Sequence, residues 1–179
     1  MLLPLSIRFA VCLALISGSG DVQAPPPAPE DQLKAAIVLS LLRYAEWPKT
    51  RGAAMLVGVD AQGQAVGRAL EGKLVNNRPI HIVELHTEAA EASCCDAIYL
   101  ASSRPEDLRT ELAAAVRAHV LTIGESRNFL KMGGVLNLLM VDGRMSFEVD
   151  LDSLAQTGVS ISSKILRFGQ LHWRRGDGS

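Results

Sequence analysis

Asp142-Gly143, set between two strand-like runs, is the feature that most narrows what this chain can fold into. An Asp-Gly pair supplies the positive φ angles that a two-residue hairpin turn needs. Before it, Val135, Asn137, Leu139 and Val141 line one face of a strand, and after it residues 144–149 make a second strand. An antiparallel pair is therefore expected in the last third of the chain. A helix carrying Leu151 and Leu154 follows, then a short polar turn opening another helix near Ile165 and Leu166.

The remainder has a different rhythm. Residues 31–47 place Leu33, Ile37, Leu41 and Tyr44 at helical spacing. Trp47-Pro48 closes that helix, because proline pushes the residue before it out of the α region. Residues 54–59 read as a short apolar strand and residues 64–70 as a helical turn. Ile80, Val83 and Leu85 mark a second strand, and residues 97–100 a third. Residues 106–119 predict a helix with Leu108, Leu112, Ala115 and Val116 inward. A fourth strand at 120–123 and a short helix at 127–131 come before the hairpin. Strands alternating with helices imply an α/β fold whose central strands are buried on both faces. The expectation is a single domain: a mixed, mostly parallel sheet flanked by helices, closing with a β-hairpin and helix.

Ahead of this domain, residues 1–24 read as an export signal: Arg8, an apolar run at 9–16, then small residues at 17–20. The run falls short of the roughly 20 apolar residues that span a bilayer, so no membrane insertion of the mature chain is expected. Val22-Gln23-Ala24 has the small-residue pattern of a cleavage site, but Pro25 would follow the cut. Cleavage anywhere within 20–28 fits. Cys12 sits inside the apolar run, which argues against a lipid anchor. A proline-rich spacer (25–30) then leads to the domain at 31–171, and residues 172–179 read as a flexible tail. A net charge of −1 and no basic stripe argue against nucleic-acid binding. Two Trp, two Tyr and four Phe leave no stacking platform for bases.

Candidate chemistry is sparse. Residues 58–63 have the glycine spacing of a phosphate loop, but Gln64-Ala65 replaces the Lys-Ser/Thr that would hold phosphate and metal, so these read as turn glycines. His81, His86 and His119 match no metal-ligand spacing. Ser162-Ser163-Lys164 lacks the three-residue serine–lysine step of a nucleophile pair and reads as a helix N-cap. Glu148, Asp150 and Asp152 alternate at the end of the second hairpin strand. One of the aspartates reads as a cap, and a core-facing Glu148 would need Arg144 or Arg167 as partner. Trp47 is either an exposed recognition residue or an anchor for the first helix. In the mature chain the cysteines are Cys94 and Cys95. Adjacent Cα atoms lie about 3.8 Å apart, below the usual disulfide range, so a bond between them would be strained. Two thiols, a strained redox-sensitive bond and an intermolecular bridge all remain open. No catalytic residue, metal or cofactor is assigned.

Four blocks, in order, resemble the YfiR/HmsC-like family of periplasmic signalling proteins. Tyr44-Ala45-Glu46-Trp47-Pro48 is similar to its segment closing the first helix, and Gly72-Lys73-Leu74-Val75-Asn76-Asn77-Arg78-Pro79 to its Gly-Lys…Arg-Pro stretch. Cys95-Asp96-Ala97-Ile98-Tyr99-Leu100 resembles its cysteine-led strand. The last block runs over residues 133–166, with Gly133, Gly134, Gly143, Phe147, Ser162 and Ser163 carrying the likeness. The resemblance implies a non-enzymatic periplasmic repressor. It would bind the periplasmic sensor domain of an inner-membrane diguanylate cyclase, lower cyclic di-GMP and biofilm formation, and act as a homodimer. It places partner control on the hairpin–helix region, here Glu148, Leu151 and Leu154. In many relatives the strand-leading cysteine pairs with one on an earlier strand, yet residues 54–58 here hold none. That leaves Cys94 and Cys95 as candidate redox residues without the family's bridge. A competing reading is an envelope sensor that collects a small ligand at the carboxyl ends of its strands and reports to a histidine kinase or transport receptor.

Overall fold

The computed structural model describes residues 29–49, 52–86, 92–101 and 105–173. Helix α1 (Pro29–Arg43) starts with a proline, whose missing N–H would be unpaired there anyway. Glu30 and Asp31 follow in the first turn, where the helix dipole favours acids. The last two residues of the expected spacer thus belong to the helix; the export signal and the final residues, 174–179, lie outside the described residues. The buried stripe is Ala35, Val38, Leu41 and Leu42. Leu33 is 48% exposed and Tyr44 is exposed too, a correction to the expected inward face. The helix also ends at Arg43 rather than Trp47. Ala45 and Glu46 form strand β1, paired antiparallel with β9 (Ser160–Ile161), and this long-range pairing takes the backbone that helical spacing would have continued.

The main sheet follows in chain order. β2 (Met55–Val59), α2 (Gln64–Leu70), β3 (Leu74–Val75), β4 (Arg78–Glu84), β5 (Ala97–Leu100), α3 (Pro105–Arg117) and β6 (Leu121–Gly124) precede a 3₁₀ turn (Leu130–Met132). Then come β7 (Leu136–Val141), β8 (Arg144–Asp150), α4 (Leu151–Thr157), β9, α5 (Ser163–Leu166) and β10 (Gln170–His172). Their spatial order is β10-β8-β7-β6-β5-β2-β4-β3. β4, β2, β5, β6 and β7 run parallel, whereas β3 and β8 lie antiparallel to β4 and β7. The fold is the expected mixed, mostly parallel α/β sheet. The expected hairpin turn is present, with positive φ at Asp142 (49°) and Gly143 (74°). A second hairpin, unanticipated, joins β3 to β4 through Asn76 and Asn77, at φ 50° and 65°; asparagine is the side chain that best tolerates that region after glycine.

Each face of the sheet carries its own core. Val38, Leu42, Tyr99, Leu121 and Leu136 pack on the α1 side, whereas Leu108, Leu112, Ala115, Ile98 and Phe129 pack on the α3 side. The four predicted α3 residues, Leu108, Leu112, Ala115 and Val116, are all buried. Phe129 is held between two glycines: a Cβ on Gly124 would come within 2.3 Å of its ring, and one on Gly134 within 2.2 Å. The two edges of the sheet differ. At β3, Arg43 Nε donates to the Leu74 carbonyl (3.1 Å), while at β10 all three residues are exposed.

Candidate functional site

Residues from the first three blocks that carry the family likeness, Trp47, Arg78 and Asp96, converge at the amino end of the parallel strands. Trp47 Nε1 donates to the Asp96 carbonyl (2.8 Å), so Trp47 serves as an anchor rather than an exposed recognition residue. The Asp96 side chain is fully buried; its Oδ2 accepts from Arg78 Nη2 (2.9 Å) and from the Leu56 backbone N–H (3.0 Å). Arg78 also donates to the Ala54 carbonyl. A buried carboxylate is tolerated only when paired and hydrogen-bonded in this way. Pro79 sits opposite Leu74 in the adjoining hairpin. Ser162 closes the ring: its N–H donates to the Tyr44 carbonyl, and its hydroxyl accepts from Lys164 N (3.3 Å) as the cap of α5. A cleft of about 470 Å³ opens over this junction, lined by Glu46, Trp47, Met55, Asn76 and Arg78 among others. The first, second and third blocks meet at Asp96, and the last block reaches them through β9.

The hairpin–helix region forms the second locus. Glu148 points away from the core face that Phe147 and Val149 occupy, and its partners are not the arginines expected from sequence. Asn137 Nδ2 donates to its Oε1 (3.0 Å), and His172 Nε2 lies 3.0 Å from its Oε2. Register decides this: Asn137 stands opposite Glu148 across the hairpin, and β10 runs parallel on the far side of β8. Asp150 caps α4, accepting from Ser153 N at 2.8 Å. Glu148 and Asp150 share a cavity of about 440 Å³ with Arg127, Lys131, His172 and Trp173, so both charge signs line one opening. Leu151 is half-buried against the core and Leu154 is buried within it, so Leu154 offers no surface. His172 was expected in the tail and is instead the last residue of β10.

The family model described as YfiR/HmsC-like matches residues 31–170, nearly the whole described domain. The chain belongs to the YfiR/HmsC-like family. Its members are periplasmic, non-catalytic regulators of cyclic di-GMP signalling. Two solved structures share the fold of this YfiR/HmsC-like domain. One is a conserved domain protein from Vibrio cholerae O1 biovar El Tor (10% identity, TM-score 0.53). The other is a Streptococcus pneumoniae ABC domain in complex with L-Trp (10% identity, TM-score 0.56). Each match covers 79% of this chain, which spans only about six-tenths of the length of those chains (59% and 60%).

Elsewhere in the YfiR/HmsC-like domain, other singled-out residues lie apart from both loci. Asp60 Oδ1 accepts from Gly63 N (2.7 Å), making the glycine-rich segment a turn before α2. His81 pairs with Glu71, His86 lies near Glu84, and His119 Nδ1 meets the Thr157 carbonyl, so the histidines are dispersed. No group of three metal-ligating side chains occurs among the described residues. Cys94 is exposed and Cys95 buried, with no bond joining them. Burial, reinforced by Cys94 and Asp96, pushes the Cys95 thiol up to about 12, the opposite of an activated thiolate. No described helix is long and apolar enough to cross a membrane.

Proposed function

We propose that this chain is exported and, as a homodimer, holds an inner-membrane diguanylate cyclase inactive by binding its periplasmic sensor domain. The observation that carries this reading is the family match across residues 31–170. The partner surface is assigned to the outer side of the hairpin–helix region, around Glu148 and Leu151, with Leu154 supporting it from within. Repression is then a population shift in which the regulator binds the inactive cyclase more tightly than the active one. Moving a cyclase from 99:1 to 1:99 takes a differential of about 5.5 kcal/mol.

A small-ligand sensor is the second reading. The 440 Å³ cavity supports it, because Arg127 and Lys131 line it together with Glu148 and Asp150, a mixed-charge lining that suits a small polar ligand. Co-purification of tagged mature chain from envelope fractions separates the two. Recovery of a membrane-anchored cyclase, weakened at least tenfold by Glu148→Lys, is the expected result. Preparations free of any membrane enzyme would reject repression by direct binding and favour the sensor.

A further inference from the structure

β10 ends the main sheet, and among the described residues only β8 pairs with it, so its outer backbone groups meet no strand. Natural sheet edges are guarded by a charge, a proline, a bulge or a covering segment. At the opposite edge, Arg43 occupies the Leu74 carbonyl of β3. The stretch 168–173 contains no Asp, Glu, Lys, Arg or Pro. Three exposed large hydrophobic side chains fall in it: Phe168 at 63%, Leu171 at 44% and Trp173 at 71%. Apolar side chains gathered beside an open backbone rim mark a surface that another chain covers.

We infer that β10 is the contact through which two copies of this chain pair, antiparallel and centred on Leu171; this rests on the homodimer reading and names its surface. The register argues for a second copy rather than a foreign strand. Outward backbone groups recur at every second residue, so a two-fold axis passes beside one residue of the strand, never between two neighbours. Centring on Leu171 gives all three strand residues a strand partner. Centring on Gln170 or His172 sets part of the strand against the flanking turn instead. Around Leu171, Gln170 stands opposite the partner's His172, and no like charges meet. Trp173 stands opposite the partner's Gly169. That glycine is kept bare by its own core, since a Cβ there would come within 2.2 Å of the Phe147 ring. An aromatic side chain across the strand pair is the usual cover for such an edge glycine. Pairing of this kind lies in the plane of the sheet and leaves the Glu148 face uncovered.

Cross-linking and light scattering of the purified mature chain test the contact. A Cys94→Ser background removes the exposed native thiol. In it, a short bis-maleimide should join Leu171→Cys chains about tenfold faster than Leu74→Cys chains, since pairing makes the reaction at 171 intramolecular. Leu171→Lys sets two cations opposite each other and should raise the dimer dissociation constant about tenfold. A dimer that Leu171→Lys leaves intact, or cross-linking at position 171 no faster than at position 74, overturns the β10 contact and leaves the homodimer reading standing. A chain-mass particle in the natural chain at every concentration removes the homodimer reading, and the β10 contact falls with it.

Discussion

At the scale of single residues, Lys34 and Glu125 show how burial and pairing compete. Lys34 Nζ lies 2.6 Å from Glu125 and 2.9 Å from Glu30, joining α1 to the end of β6. Burial alone would lower the Lys34 value, but its hydrogen bonds to the two carboxylates outweigh that and hold it above the usual lysine range. Glu125 goes up because burial and the nearby Glu30 and Asp31 charges outweigh the help it receives from Lys34. A raised carboxyl favours the protonated form, so its contribution is full below the ordinary carboxyl range and is lost as pH rises through the raised value. Lys34→Met should therefore cost about 2 kcal/mol near neutral pH, where an ionised Glu125 is left uncompensated. The loss should shrink as pH falls below the raised Glu125 value; urea titrations across pH 3.5–7.5 read this out, and a pH-independent loss would contradict it. Neither partner was legible in the sequence, because 91 residues separate them and nothing local marks either one. The Asp142-Gly143 turn was legible because its whole cause lies in two adjacent residues.

At the scale of elements, local chemistry and long-range pairing divide the outcome. α2, α3, β5 and the hairpin form close to where periodicity puts them. α1 does not end where expected, since the strand partner of Ala45 and Glu46 lies more than a hundred residues away at β9. Helical spacing carries no information about such a partner. β3 escaped notice for a related reason: two residues are too few to show alternation, although Asn76-Asn77 was a usable turn signal. The candidate site was half legible. Glu148 and the Asp150 cap could be read from position, whereas Asn137 and His172 as neighbours of Glu148 required the strand register. Asp150→Ala removes the acceptor for Ser153 N and should cost about 1 kcal/mol by releasing the first turn of α4. Exchange of the Leu151–Thr157 amides should rise with it; unchanged protection there would show that packing alone holds the helix.

At the scale of the whole molecule, one domain combines a buried polar junction at one end with an open, charge-lined hairpin face. The Trp47–Asp96–Arg78 junction is hydrogen-bonded around a buried carboxylate and ties the end of the first helix to the sheet, while the β1–β9 pairing brings in the last third of the chain. Sequence likeness therefore concentrates on residues that build the scaffold, while the surface assigned to signalling is carried by few of them. The homodimer is a whole-molecule expectation: light scattering of the mature chain should return twice the chain mass, and a chain-mass particle throughout the micromolar range would remove it. The unequal sheet edges bear on how far such association can go. Arg43 occupies the outer carbonyl of a β3 only two residues long, leaving that side a poor template for another strand. Two copies meeting edge to edge at β10 would each cover the other's one receptive rim. Joined in this way, the main sheet of the pair would end on both sides at β3, so among the described residues its extension would favour closed pairs over a fibre.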